Sequence, residues 1–294
     1  MKKILLLGAT GFIGSNIARE LDRQGRPWSG VARTGREGSN SIYTFEDEEE
    51  ILSALDSSSI VVNALGGLKP RNFEDDLNGA MNEFWAAMQR VLRLLRQRPP
   101  AAFLQISSAG TVYGEAPGRP SVECDPVSPQ SWYGRMKVVE EALFQQFAHE
   151  KDITYTCARV TNPFGNEDHP THGLVDVLID HVSRKEPFFA HYHPAACRDY
   201  IYAPEMARAL VTMIDRSLPG IYNIGYGVPV NLQELVDITK NLLPGAEIVV
   251  GTPSEGDVVT SSVSVQRFHD SFGLAIGGPS AKEYLYDKLS KVVV

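Results

Sequence analysis

The sequence predicts an α/β fold: a doubly wound parallel sheet with a smaller α+β lobe. Three observations carry that expectation. Apolar runs of strand length alternate with stretches of helical spacing between residues 4 and 160. The runs are apolar on both faces, as strands covered by helices on either side must be. The first run also leads into glycines at 8, 11 and 14 and then into a helix pattern.

That first run, ILLLG (4–8), follows two lysines and so imitates a secretory leader. It is too short for one, and no small-residue cleavage site follows before charged residues appear. No run approaches 18 consecutive apolar residues, so no membrane span is expected. The glycines form G-x-x-G-x-x-G. Gly8 can turn the chain sharply, Gly11 lets backbone approach a pyrophosphate, and Gly14 lets a helix pack close to the sheet. Thr10, Phe12 and Ile13 complete this loop. The helix over 13–24, apolar at Ile13, Ile17, Ala18 and Leu21, would aim its first amides and positive dipole end at an anion. Taken alone, the triplet fits an ordinary strand-turn-helix equally well.

The next elements follow in alternation: WSGVA (28–32), a helix over 47–56, IVVNAL (60–65), a helix over 78–97, AFLQIS (102–107), a helix over 134–149 and TYTCARV (154–160). The acidic run EDEEE (46–50) reads as a solvated helix start. After Asn162 the pattern loosens into a segment rich in Pro, His and Gly. Then come a helix over 174–184, RDYIYAPEMARAL (198–210), GIYNIG (220–225), a helix over 231–242, a strand over 246–250 and a last helix over 280–290. The expected division is 1–165 for dinucleotide binding and 166–294 mainly for substrate, with segments near 198–225 returning to the first part.

Composition narrows the partners. The 294 residues are 43% hydrophobic and carry a formal net charge of −8, which disfavours nucleic acid. Cysteines at 124, 157 and 197 lack metal-site spacing and read as reduced thiols of a cytoplasmic protein. His169, His172, His191 and His193 lack a third ligand at fixed spacing, so no metal is expected.

The most informative stretch is SWYGRMKVVEEAL (131–143). Tyr133 and Lys137 are four apart and share a helix face. A phenol with an ordinary pKa near 10 is a poor acid–base group at neutral pH. A nearby ammonium favours the phenolate, and a nicotinamide cation would add to that effect. The pair follows the fourth expected strand and its SSAGTVYG turn (107–114), where a doubly wound sheet presents its ligand crevice.

With these motifs in hand, the chain resembles an extended short-chain dehydrogenase/reductase of the NAD(P)-dependent nucleotide-sugar epimerase/dehydratase family, a Rossmann-like fold. GATGFIGS (8–15) resembles the family's cofactor loop, SSAGTVYG its serine-bearing turn and YGRMK (133–137) its catalytic helix. RVTNPFG (159–165), RDYIYAPEMARAL (198–210) and GIYNIGYGVPVNLQELV (220–236) are similar to its later motifs, in order. The resemblance makes Tyr133 the acid–base group and Lys137 its electrostatic partner and nicotinamide-ribose ligand. It also implies a hydroxyl three residues before the Val of V-Y-G, where this chain has Ala109. Ser108 or Thr111 can take that part, with Ser108 preferred. The alternative is that Ser107 and Ser108 only cap the strand end.

Family members specific for NAD usually end the second strand with Asp or Glu. This chain instead has Arg33, with Arg36 behind it, which favours a 2′-phosphate and hence NADP, with NAD as the alternative. Two solvated loop arginines would look the same. Asn63, Ala64 and Leu65 end the third strand where the family lines the cofactor. Asn162 and Arg198 are the candidates for the substrate diphosphate. For Arg198 the alternative is an ion pair with neighbouring Asp199.

The resemblance implies hydride transfer at carbon 4 of a nucleotide-diphosphate sugar, by a 4-epimerase or a 4-ketoreductase. A non-catalytic dinucleotide sensor would not need Tyr133 and Lys137. A 4,6-dehydratase is disfavoured, because Gly110 and Thr111 stand where family dehydratases carry an acidic pair. The helices over 78–97 and 134–149 bear long apolar faces (Met81, Trp85, Met88, Leu92, Leu95; Val138, Ala142, Leu143). Extended members often pair through them, so a homodimer is expected, unless those faces simply cover the sheet.

Overall fold

The computed structural model describes residues 2–35, 40–116, 118–166, 172–253 and 257–292. The chain opens with β1 (Ile4–Leu7), buried at all four positions, and α1 (Phe12–Arg23). Next come β2 (Ser29–Val31), β3 (Ile42–Tyr43) and α2 (Glu48–Ala54), whose first turn is Glu48, Glu49 and Glu50. The acidic run thus starts a helix, its carboxylates at the positive end of the dipole. β4 (Ile60–Asn63), α3 (Pro70–Asp75), α4 (Leu77–Gln97), β5 (Ala102–Ser108) and the single turn α5 (Ala109–Val112) follow. Then come α6 (Trp132–Glu150), β6 (Thr154–Val160) and β7 (Asn162–Phe164).

The later elements are α7 (Leu174–Ser183), β8 (Phe188–His191), β9 (Cys197–Tyr202), α8 (Ala203–Arg216), β10 (Gly220–Ile224) and β11 (Pro229–Asn231). They continue with α9 (Leu232–Leu242), β12 (Ile248–Gly251), β13 (Thr260–Ser261), α10 (Gln266–Phe272) and α11 (Ala281–Ser290). The strand expected over 246–250 lies slightly later, as β12. β3, β7, β8, β11, β13, α3 and α5 have no counterpart in the sequence reading, because two to six residues show no period. α10 did leave a signal: Phe268 and Phe272 are buried one turn apart, and Gly273 ends the helix in the left-handed conformation (φ 61°).

A seven-stranded sheet runs in the order β10-β6-β5-β4-β1-β2-β3 among the described residues. β1 pairs in parallel with β2 and β4, β2 with β3, and β4 with β5. This is the Rossmann-like α/β sheet that the alternating runs predict. Its order reverses between β1 and β4, and ligands of such sheets bind beyond the carboxyl ends of the strands at that point.

The chain forms two compact units. The first comprises Met1–Ser107, Trp132–Arg159 and Ala207–Tyr222. Its core joins Val61 and Phe103 of the sheet to Phe84, Met88, Leu92 and Leu95 of α4 and to Met136, Phe144 and Phe147 of α6. Much of the apolar face of α4 therefore covers the sheet, while Trp85 stays 44% exposed. Arg26 pairs with Asp215, tying α8 into this unit.

The second unit comprises Ser108–Ser131, Val160–Met206 and Asn223–Val294. In it β9 pairs with β7, β11 and β13, and β8 pairs in parallel with β12. Its core gathers Phe164, Leu178, Tyr200, Leu235 and Leu285. No helix among the described residues is long and apolar enough to cross a membrane.

Candidate active site

In the first unit the glycine loop is held by close contacts. Gly8 has φ +81°, and a Cβ there would lie 2.6 Å from the Ala64 carbonyl oxygen. A Cβ at Gly14 would lie 2.0 Å from the Gly8 carbonyl oxygen, so only glycine lets α1 sit this close to the end of β1. Gly11 is the N-cap of α1, which has no side-chain cap and no acidic residue in its first turn. The start of this twelve-residue helix, with its positive dipole end, is a place where an anion is favoured. These features fit the pyrophosphate of a dinucleotide.

Ala64 and Leu65 follow β4 at the same end of the sheet, and the Ala64 amide donates to the Leu7 carbonyl (3.0 Å). Asn63 is fully buried. Its amide donates to Gln105 Oε1 (2.9 Å) and Glu140 Oε1 (3.0 Å), and its Oδ1 accepts from the Leu65 amide (3.3 Å). Arg33 is exposed beyond β2, with a guanidinium nitrogen 2.9 Å from where a Cβ of Gly67 would stand. It forms no ion pair among the described residues. Arg36 and His169 lie outside the described residues.

Tyr133 and Lys137 project from one face of α6. Together with Leu65, Gly66, Gly67 and Leu68 they line a cavity of about 70 Å³. The Tyr133 ring meets Phe73 edge-on, with centroids 6.4 Å apart. Lys137 is buried, and its Nζ donates to Glu140 Oε2 (2.7 Å) and more distantly to the Ile106 carbonyl (3.4 Å). Burial works against the ammonium, yet the charge of Glu140 and the phenol of Tyr133 hold it above the ordinary lysine value.

A second buried cluster stands one residue on. Arg159 donates to Glu141 through Nε (3.1 Å) and a terminal nitrogen (2.7 Å), and Ser107 Oγ also donates to that carboxylate. Cys157 is fully buried and its thiol is pushed up by burial, which makes it inert rather than nucleophilic.

In the second unit, Ser108 precedes α5 with no side-chain cap, and its hydroxyl makes no hydrogen bond among the described residues. Ser107 is the committed hydroxyl of the two. Thr111 Oγ1 leans on the Ser108 carbonyl at 3.4 Å. Asn162 donates to the Asp199 carbonyl (2.8 Å), and its amide lies 3.6 Å from where a Cβ of Gly110 would stand.

The ion pair that the sequence offers between Arg198 and Asp199 does not form. Successive strand residues face opposite sides. Arg198 pairs instead with Asp257 (2.7 Å) and donates to the carbonyls of Cys197 and Val259 (both 3.0 Å). Asp199 turns inward and accepts from the Tyr226 and Gly227 amides (both 2.9 Å). Among the described residues no group of three or more His, Cys, Asp or Glu could hold a metal ion.

Burial pushes the Asp199 carboxyl up to about 6, against the pull of the amides it accepts from. The folded chain therefore holds the proton more tightly than the unfolded chain. That contribution to stability is present below about pH 4 and is lost as the pH rises through about 6. Replacing Asp199 with Asn removes this ionisation. Urea unfolding from pH 4 to pH 7 should show the mutant gaining on the wild type, by roughly 3 kcal/mol at most. A difference that stays constant with pH would mean that Asp199 is not the titrating group.

Glu140, Glu141 and Gln105 escaped the sequence reading. In a helix the pair EE reads as solvated surface. The available signal was spacing, since Glu140 and Glu141 stand three and four residues after Lys137 and so share its face.

With this geometry in view, residues 4–225 match the family model described as NAD dependent epimerase/dehydratase. The chain is 27% identical to dTDP-6-deoxy-L-talose 4-dehydrogenase (NAD(P)(+)) of Kitasatospora kifunensis, over 80% of this chain and 77% of that one. Its fold is that of the Thermotoga maritima UDP-glucose 4-epimerase solved with UDP-glucose (TM-score 0.84, 23% identity, 98% of this chain and 97% of that one). It is likewise that of the Thermus thermophilus UDP-glucose 4-epimerase solved with NAD (TM-score 0.82, 21% identity, 99% and 98%).

Proposed function

Because this chain belongs to the NAD dependent epimerase/dehydratase family, we propose that it transfers hydride at carbon 4 of a nucleotide-diphosphate sugar, as a 4-epimerase or a 4-ketoreductase. The observation that carries this reading is the Tyr133–Lys137 pair on one face of α6, lining a cavity with the loop that follows β4. A bound nicotinamide dinucleotide supplies the hydride acceptor or donor. Tyr133 exchanges the proton of the sugar's 4-hydroxyl, and the Lys137 ammonium stabilises the phenolate. Ser108, whose hydroxyl is uncommitted, is assigned to polarise the sugar oxygen. Asn162 and Arg198 are assigned to the diphosphate, which requires Arg198 to exchange its Asp257 partner for phosphate oxygens. The dinucleotide is assigned to the first unit and the sugar mainly to the second.

Arg33 supports the reductase and NADP. A guanidinium beyond β2, free of a carboxylate partner among the described residues, suits a 2′-phosphate. Replacing Arg33 and Arg36 together with Ala should weaken NADP binding about ten- to a hundredfold, with NAD nearly unchanged. Calorimetric titration with both dinucleotides measures this. A wild type that already prefers NAD would set the arginines aside and favour the epimerase. Release and identification of any co-purified dinucleotide separates the two readings: tightly held NAD supports the epimerase, an empty site preferring NADPH the reductase. Loss of both activities on a panel of nucleotide sugars would remove the proposal.

A homodimer through α4 and α6 is part of the same reading. Trp85 and Trp132 are 44% and 43% exposed, one on each helix, and light scattering at micromolar concentration tests it. Three unpaired cysteines accord with a cytoplasmic setting.

A further inference from the structure

We propose that Glu140 is a positioning residue for the catalytic pair: a buried counter-ion that keeps Lys137 charged and fixes its Nζ, while clamping α6 to the end of β4. The inference rests on the reading of Tyr133 and Lys137 given above. Both carboxylate oxygens of Glu140 are spent, Oε2 on Lys137 (2.7 Å) and Oε1 on Asn63 (3.0 Å). Asn63 in turn accepts from the Leu65 amide and donates to Gln105, whose own amide reaches the Ile106 carbonyl (2.9 Å). That carbonyl also faces Lys137 Nζ. The ring of contacts runs from the lysine through two strands to the loop beside the glycine cradle.

The side chains of Lys137 and Glu140 are 11% and 3% exposed, so water contributes little to holding either charge. A lysine this deeply buried loses its proton readily unless a carboxylate opposes that loss. The other groups facing the pair do not supply one. Glu141, next along α6, is occupied by Arg159 and Ser107. Cys157 and Tyr155 on β6 are both pushed up by burial and stay neutral. Tyr133 is the group the lysine serves. Glu83 on α4 lines the same cavity but is exposed and forms no ion pair with Lys137 among the described residues. Asn63 and Gln105 carry no charge. Glu140 is therefore the carboxylate on which the charge of Lys137 depends.

The test is direct observation of the lysine. The full chain is labelled with ¹³C at lysine Cε, the Lys137 signal is assigned by its loss in Lys137→Arg, and the wild type and Glu140→Gln are titrated from pH 6 to 11. In the wild type Lys137 should stay an ammonium through about pH 10, whereas in Glu140→Gln its midpoint should fall by at least about one pH unit. Glu140→Asp keeps the charge one methylene further away and should give an intermediate midpoint. It serves as the reading should the Gln variant not fold.

The alkaline limb of kcat should move down with the NMR midpoint, which a merely structural role would not produce. Coincident midpoints in the wild type and the variants overturn the proposal. A lowered midpoint with an unmoved kcat limb overturns the positioning role. If the wild type turns over no nucleotide sugar, the functional reading fails, and the NMR midpoints still decide whether Glu140 is the counter-ion.

Discussion

Turnover is expected to fall about a hundred- to ten-thousandfold when Tyr133 is replaced with Phe, while dinucleotide binding stays nearly intact. The substitution removes one oxygen and little else. The ring keeps its edge-on contact with Phe73, and Lys137 stays anchored by Glu140 and the Ile106 carbonyl. The glycine loop and the first turn of α1 are untouched. What disappears is the hydroxyl to which the proposed mechanism assigns the proton of the sugar. Steady-state rates on the best nucleotide sugar, with dinucleotide affinity measured by fluorescence titration, would separate the two effects. A mutant that keeps a tenth or more of wild-type activity would remove Tyr133 from that role.

Replacing Glu141 with Ala should produce the largest loss of stability, about 3–5 kcal/mol. The side chains of Arg159 and Glu141 are 5% and 8% exposed and joined by two hydrogen bonds, with Ser107 as a third donor. Removing the carboxylate takes from a buried guanidinium the charge that two of its nitrogens donate to, and leaves the Ser107 hydroxyl without its acceptor. Removing both partners with Glu141→Leu and Arg159→Met should recover most of the loss, since the cost lies in the stranded charge rather than in the missing bond. Denaturant midpoints of the wild type, the single mutant and the double mutant measure this. A single mutant within about 1 kcal/mol of the wild type would show that water reaches Arg159.

Much of the first unit was legible because its signals are long. β1, β4, β5 and β6 are buried on both faces and so appear as unbroken apolar runs. α4 and α6 span five turns or more, enough for the 3.6-residue period to emerge. Gly8 and Gly14 were legible for another reason: close backbone approach excludes any other residue, and the structure shows both approaches. The polar network behind Tyr133 and Lys137 was not. Hydrogen bonds between Asn63, Gln105 and Glu140 join residues 42 and 77 positions apart, and no local pattern announces them. Asp257, the partner of Arg198, was hidden on the same ground: it stands 59 positions along the chain, whereas the only alternative that local sequence offered was neighbouring Asp199.

The chain leaves one compact unit for the other at 107/108, 131/132, 159/160, 206/207 and 222/223, five crossings in all. No single cut can release either unit whole. During synthesis the first unit stays incomplete until residue 222 has left the ribosome, because its sheet lacks β10 and Arg26 lacks Asp215 until then. Pairings so distant along the chain carry loop-closure entropy into the folding barrier and slow it. Truncation ahead of β10 would thus leave an open sheet edge, a species prone to aggregate.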